Sequence, residues 1–216
     1  MRNFEGIIFD IDGTLTSTNE LIFATFRHVV EKHLNKKVTD REIIALFGPT
    51  EDVILKEWIN ENYQEARKDY YHFYETQHHL MADVYPGIIE ALKFIKSKKI
   101  PLSIYTGKGR DSSVITLQKI GVFDLFDMIV TGDDVVDHKP SPEGIDVFVK
   151  KFNLNPEKVL MIGDAPADVL AARSAGVKIA SVVWDSYAKE KVLTMNSDFV
   201  FETVDELMKF LKENLE

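Results

Sequence analysis

The sequence predicts an α/β fold: a parallel sheet core with an all-helical segment inserted after its first strand. From about residue 83 onward, short apolar runs alternate with amphipathic helical patterns. This alternation is typical of βαβ units whose helices cover both faces of a parallel sheet. The stretch from about residue 17 to 81 breaks the rhythm, because it holds long helical patterns and no convincing strand.

Six apolar runs are the expected strands. The first, GIIFDI, starts at Gly6, and its continuous apolar character is typical of a strand buried on both faces. The others are PLSIYT at 101–106, MIVTGD at 128–133, KVLMIGD at 158–164, KIASVVW at 178–184 and, as an edge strand, DFVFET at 198–203.

Helical patterns with end signals lie between these runs. Pro86 stands near the start of the first pattern, Ser141 is expected to cap a later one, and Gly121 and Gly176 follow two helix ends. The patterns are PGIIEALKFIKSKK, GRDSSVITLQKIG, SPEGIDVFVKKFN and PADVLAARSAG.

The inserted segment is expected to form a separate helical module. Its second helix carries a capping box, with Thr39 as N-cap and Glu42 three residues later. Turn residues lie on either side of the segment, Gly13 before it and Pro86-Gly87 after it. We therefore predict a core of residues 1–15 and 83–216 and a helical cap of residues 16–82.

Composition narrows the classes of partner. The chain of 216 residues has a net charge of −9 and no Lys/Arg patch, which argues against a nucleic-acid partner. It contains no cysteine, so disulfides, thiolate catalysis and zinc–thiolate sites are excluded. No apolar run approaches the ~20 residues of a membrane span, and MRNFEG lacks the layout of a signal peptide. We expect a cytoplasmic protein without a membrane partner.

Polar residues follow four of the expected strands. Asp10 and Asp12 follow the first, Thr106 the second, Lys139 the third and Asp164 the fourth. Ligands of open α/β sheets sit at the carboxyl ends of the strands. The sequence therefore predicts that these side chains converge at one edge of the sheet.

Crowded carboxylates repel one another unless a cation neutralises them. Oxygen ligands of this kind suit Mg²⁺, which proteins typically hold with one or two carboxylates together with a substrate phosphate. Asp10, Asp164 and the backbone carbonyl of Asp12 are the expected protein ligands. Lys139 and Thr106 are then expected to hold the phosphate through charge and a hydrogen bond.

The same residues resemble the four motifs of haloacid dehalogenase-like (HAD) hydrolases. The motifs are DIDGT at 10–14, the Thr of YTGK, the Lys of HKPSPE and GDAPAD at 163–168. They occur in the family's order, and the resemblance covers nearly the whole chain. It implies a Rossmann-like core and a helical cap. Residues 106–176 look particularly like the phosphoglycolate phosphatase and pyrophosphatase branch.

The resemblance implies a role for each matching residue. Asp10 would be the nucleophile that forms an aspartyl-phosphate, and Asp12 the general acid and then the base for water. Asp12 also favours phosphoryl transfer over dehalogenation, because an alkoxide leaving group needs a proton and a halide does not. The remaining roles are phosphate binding by Gly13, Thr106, Gly107 and Lys139, Mg²⁺ binding by Asp164, and orientation of Lys139 or a metal-bound water by Asp168.

Two residues depart from the family's pattern. Gly107 stands where many relatives carry Asn, and Pro166 lies between the two acids of the fourth motif. Proline is tolerated in the first turn of a helix, so the geometry of the acids can survive. The departures bear on substrate preference rather than on the chemistry.

These observations predict a Mg²⁺-dependent phosphatase acting on a small phosphorylated metabolite, phosphoglycolate-like or related. The alternatives are a sugar phosphomutase of the β-phosphoglucomutase type, a pyrophosphatase, and a non-catalytic module that binds phosphate. The turn FGPTED at 47–52 is a candidate for choosing the substrate, with Arg27 and Lys56 as weaker ones. The aromatic residues of the cap suit monomeric packing and a dimer interface equally, so no oligomeric state is predicted.

Overall fold

A computed structural model describes residues 3–46 and 48–216. The strands within these residues are β1 (Gly6–Phe9), β2 (Thr16–Ser17), β3 (Asp83–Val84), β4 (Leu102–Tyr105), β5 (Met128–Val130), β6 (Val159–Gly163), β7 (Lys178–Val182) and β8 (Phe199–Phe201). The α-helices are α1 (Asn19–Leu34), α2 (Asp40–Ile44), α3 (Glu51–Ile59), α4 (Tyr63–Met81), α5 (Ile88–Ser97), α6 (Arg110–Lys119), α7 (Glu143–Phe152), α8 (Pro166–Ser174), α9 (Lys189–Leu193) and α10 (Val204–Leu215).

Six of the strands form a parallel sheet in the order β5-β4-β1-β6-β7-β8. Phe9 at the end of β1 lies opposite Ile104 of β4 on one side and Ile162 of β6 on the other. The strands β4 and β5 lie on one side of β1, and β6, β7 and β8 lie on the other, so the strand order reverses at β1. The crevice at the carboxyl end of β1 is the expected ligand site of such a sheet. The α/β fold and all six predicted strands are confirmed.

Both faces of the sheet are buried. Ile7 and Phe9 point into one apolar cluster, which α5 and α10 also contribute to, and Ile8 points into a second one under α7 and α8. This alternation is the period of two expected of a strand. Because helices cover both faces, the strand reads as a continuous apolar run rather than as alternating residues.

The inserted helices have an apolar cluster of their own. Phe26 of α1 and the buried Tyr70 and Tyr74 of α4 lie in it, with their rings in contact. The Tyr74 hydroxyl also lies 2.8 Å from Thr116 Oγ1 of α6, so α4 contacts the core directly. The predicted helices of this segment and the capping box are confirmed: Glu42 N donates to Thr39 Oγ1 at 3.3 Å, and Thr39 N to Glu42 Oε2 at 2.8 Å.

Two details differ from the sequence prediction. β2 and β3 form a short antiparallel pair where the helical segment begins and ends, with Thr16 Oγ1 donating to the Asp83 carbonyl at 2.6 Å. Two residues per strand are too few to give a periodic signal, so these strands were not predicted. Pro142 rather than Ser141 is the N-cap of α7, although Ser141 Oγ still accepts from Glu143 N at 3.3 Å. No helix of the described chain is long and apolar enough to cross a membrane.

Candidate active site

Three buried aspartates meet at the carboxyl ends of β1 and β6. Asp10 directly follows β1, Asp164 directly follows β6, and Asp168 lies in the first turn of α8. One carboxylate oxygen from each lies within 4.8 Å of the others. Three negative charges at this separation repel strongly when water is excluded, so the cluster needs compensation.

Lys139 supplies part of that compensation. Its Nζ lies 3.2 Å from Asp10 Oδ1 and donates to Asp168 Oδ1 at 2.6 Å. Asp168 Oδ2 also accepts from Ala165 N at 3.0 Å, which fixes its carboxylate at the start of α8. Burial lowers the pKa of Lys139, but the charges of Asp10 and Asp168 outweigh this effect and hold its pKa above the ordinary value. Lys139 therefore stays an ammonium.

One ammonium does not balance three carboxylates. Burial raises the pKa of Asp10 to about 6 against the opposing charge of Lys139. Burial and the charges of Asp168 and Asp10 hold the pKa of Asp164 well above its ordinary value. Among the described residues, the Lys139 ammonium lies at ion-pair distance from Asp10 Oδ1, but no group donates a hydrogen bond to that oxygen. A set of buried, under-compensated carboxylate oxygens fits a small divalent cation with oxygen ligands.

The Asp12 carboxylate has partners different from those of the other three aspartates. Thr18 Oγ1 donates to its Oδ1, and Lys108 Nζ lies 3.3 Å from its Oδ2. Its carboxylate lies outside the cluster formed by the other three aspartates. The position of the carboxylate does not test the expectation that Asp12 contributes its backbone carbonyl to a metal ion, which stays a prediction.

A cavity of about 240 Å³ opens onto these residues. It brings together all the residues that the sequence assigned to catalysis, phosphate binding and metal binding. Thr106 is buried there, and its hydroxyl oxygen accepts from Lys108 N at 3.3 Å, which leaves the hydroxyl proton for another acceptor. The predicted residues that line the cavity are Asp10, Asp12, Gly13, Thr106, Gly107, Lys139, Asp164 and Asp168.

Gly13 permits the close approach of the first loop to Asp164. Its φ is +74°, in the left-handed region that favours glycine, and a Cβ placed there would lie 2.5 Å from Asp164 Oδ2. The neighbouring Thr14 Oγ1 donates to Asp164 Oδ1 at 3.4 Å. The loop after β1 thus holds the carboxylate that follows β6.

The sequence reasoning missed a buried ion pair beside the cavity. Lys108 Nζ lies 3.6 Å from Glu51 Oε1 as well as 3.3 Å from Asp12. Glu51 belongs to α3 of the inserted segment, yet its Oε2 accepts from Gly109 N at 2.7 Å and its Oε1 from Ser112 Oγ at 2.6 Å. The available signals were weak: Lys108 lies two residues after Thr106, and Glu51 reads as an ordinary acid in a first helical turn.

Some candidate residues lie away from the cavity, and some residues that line it were not predicted from the sequence. Asp133 and Asp134 follow β5 and could also have joined the site. They instead accept from the backbone N–H groups of Arg110, at the start of α6, and of Thr131, and they lie outside the aspartate cluster. Of the predicted specificity turn, Gly48, Pro49 and Glu51 line the cavity, and Phe47 lies outside the described residues. Arg27 and Lys56 are exposed and do not line it. Lining residues that were not predicted are Asn19, Ile22, Phe26, Ile54, Lys108 and Tyr187.

Comparison with known proteins shows the family to which this chain belongs. The family model of haloacid dehalogenase-like hydrolases matches residues 7–182. The chain belongs to this family. The predicted family and hydrolase class are thereby confirmed.

Individual relatives cover almost the whole chain. The pyrophosphatase PpaX of Bacillus pumilus is 31% identical over 202 residues, 94% of each chain. The structure of a putative β-phosphoglucomutase from Thermotoga maritima is similar at a TM-score of 0.77 and 30% identity, covering 97% of this chain and 99% of that one. A predicted phosphoglycolate phosphatase from Haemophilus somnus shares the fold at a TM-score of 0.82 and 21% identity, covering 97% and 99%.

The close contact at Gly13 gives a first prediction. Gly13→Ala and Gly121→Ala both place a Cβ at a left-handed φ, of +74° and +71°, but nothing lies within 4 Å of the Gly121 Cβ. We expect both to lower the free energy of unfolding by about 1–2 kcal/mol. Only Gly13→Ala should also lower hydrolase activity, by about a hundredfold, because it displaces Asp164. Equal activity of the two variants would contradict the role assigned to Gly13.

The raised pKa of Asp10 gives a second prediction. The pKa of Asp10 is about 6 in the folded chain and 3.8 in the unfolded chain. Its favourable contribution to the free energy of unfolding is therefore complete below pH 3.8 and is lost as the pH rises through 6. In chelator at neutral pH, Asp10→Asn should therefore raise the free energy of unfolding, on the order of 1–3 kcal/mol. The gain should shrink as the pH falls towards 4. Urea unfolding across pH measures it.

Exposed Asp124 supplies the control, because Asp124→Asn should change the free energy of unfolding by less than about 0.5 kcal/mol. Mg²⁺ should reverse the order of the free energies of unfolding of Asp10→Asn and wild type, since the intact cluster gains more from the cation than the variant does. A destabilised Asp10→Asn variant in chelator would show that Lys139 already compensates the cluster.

Proposed function

We propose that the chain is a Mg²⁺-dependent phosphatase that hydrolyses a small phosphomonoester through an aspartyl-phosphate on Asp10. One observation carries this proposal: the buried Asp10 carboxylate lies beside Lys139 and faces a cavity that Asp12 and Thr106 also line. A nucleophile, a proton donor and two phosphate-binding groups thus share one small space. The relatives support phosphoryl chemistry, because one is a pyrophosphatase and a solved structure with 30% identity is a putative β-phosphoglucomutase.

Asp10 and Asp164, with the backbone carbonyl of Asp12, would hold the Mg²⁺. When bound, the ion would neutralise the carboxylates and screen the phosphate dianion from the attacking carboxylate. Asp168 would act through Lys139, whose Nζ it accepts from at 2.6 Å.

Two steps follow from these positions. An Asp10 carboxylate oxygen attacks phosphorus, the bond from phosphorus to the leaving oxygen breaks, and Asp12 donates a proton to that oxygen. Asp12 then accepts a proton from water as the water attacks the phosphorus of the aspartyl-phosphate, which frees Asp10 and releases phosphate. Lys139 and Thr106 hold the phosphoryl oxygens throughout.

The proposal includes the division into a core of residues 1–15 and 83–216 and a cap of residues 16–82. It is supported by the separate apolar cluster of the inserted helices and by the β2–β3 pair beside the proposed boundaries. Closure of such a cap would exclude bulk water from the aspartyl-phosphate. A cytoplasmic location and the absence of nucleic-acid and membrane partners stay predictions from the sequence.

A sugar phosphomutase is the second candidate, because a Thermotoga maritima structure with 30% identity carries the name putative β-phosphoglucomutase. A mutase returns the phosphoryl group from Asp10 to a sugar instead of to water. Net release of phosphate distinguishes the two reactions. A pyrophosphatase, as the Bacillus pumilus relative is named, would release two phosphates from each substrate molecule.

A panel of small phosphate compounds tests the proposal. We expect Mg²⁺-dependent phosphate release that chelator abolishes and that Asp10→Asn lowers at least about a thousandfold, since the nucleophile is lost. Asp124→Asn should keep wild-type turnover. Full turnover by Asp10→Asn would contradict the covalent mechanism, and isomerised sugar phosphate without phosphate release would favour the mutase.

The proton donated by Asp12 gives a separate prediction. Asp12→Asn should lower kcat/KM for an alkyl phosphate by about 10²–10⁴-fold. The loss for p-nitrophenyl phosphate should be far smaller, because nitrophenolate leaves without a proton. Asp52→Asn is the control, since Asp52 pairs with Arg67 and does not line the cavity. An equal loss for both esters would show that Asp12 does not act as the general acid.

A further inference from the structure

The cavity has two walls of different chemistry. The core wall carries the four aspartates, Thr106 and the two lysines. The helical wall comes from α1, α3 and the turn before α3. Its buried apolar side chains are Ile22, Phe26 and Ile54. The residues of the helical wall are Asn19, Ile22, Phe26, Gly48, Pro49, Glu51 and Ile54.

No cation belongs to the helical wall as the described residues define it. Its one charged residue is Glu51, which is negative and already accepts from Gly109 N and Ser112 Oγ. Arg27 follows Phe26 in α1, but it pairs with Asp40 on the surface. The N-terminus of α1 at Asn19 adds a partial positive charge, which Glu20 in the same turn offsets in part.

Both lysines of the cavity already form ion pairs with carboxylates of the chain. Lys139 pairs with Asp10 and Asp168, and Lys108 pairs with Asp12 and Glu51. The two lysine side chains are only 6% and 1% exposed. Neither ammonium is therefore left to neutralise a second anionic group of a substrate.

The charge balance of the cavity points the same way. Five carboxyl groups line the cavity with two ammonium groups, so the formal charge is −3 when all five are ionised and −2 when Asp12 holds the proton that it donates. One Mg²⁺ would bring the second value to 0 before any phosphate binds. A second anion on the leaving group would therefore meet no surplus positive charge, and it would lie against an apolar wall. Burying an unpaired charge is costly, whereas an uncharged group loses little there.

The size of the cavity limits the leaving group. Its volume of about 240 Å³ lies below the roughly 300–1,000 Å³ of pockets for drug-sized ligands. A phosphoryl group takes up part of this space. The remainder suits a small leaving alcohol.

We propose, on the basis of the proposed phosphatase function, that the substrate is a small phosphomonoester whose leaving alcohol is uncharged. Ile22, Phe26 and Ile54 are the residues that disfavour a second anion. Phosphoglycolate and pyrophosphate, which carry charge on the leaving group, are then poor substrates.

Two esters of equal size test the inference. Hydroxyacetone phosphate has a methyl group where 2-phosphoglycolate has a carboxylate oxygen, so the pair differs chiefly in charge. We expect kcat/KM for hydroxyacetone phosphate to exceed that for 2-phosphoglycolate and for pyrophosphate by at least about tenfold. Calorimetric titration of the Asp10→Asn variant in Mg²⁺ should show the same order in Kd without turnover.

A new cation in the helical wall should reverse the preference. Asn19 is half-buried and polar, so Asn19→Lys adds a charge to the wall without removing a core side chain. It should shift the ratio of the two kcat/KM values at least about tenfold towards 2-phosphoglycolate. Asn62→Lys makes the same change at an exposed residue outside the cavity and should leave the ratio unchanged.

The outcomes separate this inference from the function on which it rests. A tenfold preference for 2-phosphoglycolate or pyrophosphate would overturn the inference and leave the phosphatase standing. Absence of phosphate release from every compound would overturn the phosphatase. In that case the Kd values for Asp10→Asn still decide the selectivity, since equal or tighter binding of 2-phosphoglycolate would refute it.

Discussion

The repulsion among Asp10, Asp164 and Asp168 is the constraint on which the rest of the site depends. The three carboxylates lie within 4.8 Å of one another and are buried, and Lys139 is the ammonium that they share. Burial and the charges of the neighbouring aspartates raise the pKa values of Asp10 and Asp164, because Lys139 does not fully offset them. A group that brings positive charge completes it, and the proposed Mg²⁺ would do so. The charge imbalance thus makes the site receptive to a cation and then to a phosphate.

The fold imposes this arrangement through its central strand. β1 lies between β4 and β6, and both of its faces are buried, so its end is fixed between two neighbouring strand ends. Gly13 lets the following loop approach Asp164 closely. The inserted helices close the other side of the cavity, and Glu51 ties them to the first turn of α6. Core elements therefore position the aspartates and Lys139, and the helical wall lines the space beside them.

The sequence was sufficient for the parts of the site that depend on local order along the chain. Buried strands give apolar runs, and residues directly after parallel strands converge because the strands are parallel. This is why Asp10, Thr106 and Asp164 could be placed together. Lys139 lies nine residues beyond the end of β5, and its place in the site was predicted from the HKPSPE motif. The Lys108–Glu51 pair could not be predicted, because its partners come from a core loop and an inserted helix and neither residue has a spacing signal. The amphipathic pattern of α1 predicts that Phe26 and Val29 are buried, but only the packing shows that Phe26 lines the cavity and Val29 does not.

The most direct test of the covalent chemistry is mass spectrometry of enzyme quenched in acid during turnover with Mg²⁺ and a substrate. The Asp12→Asn variant favours detection, because loss of the base slows hydrolysis of the aspartyl-phosphate. We predict that one phosphoryl group is found on the peptide that contains Asp10 and that Asp10→Asn abolishes it. A phosphoryl group on another residue, or turnover without any phosphorylated peptide in either enzyme, would contradict it.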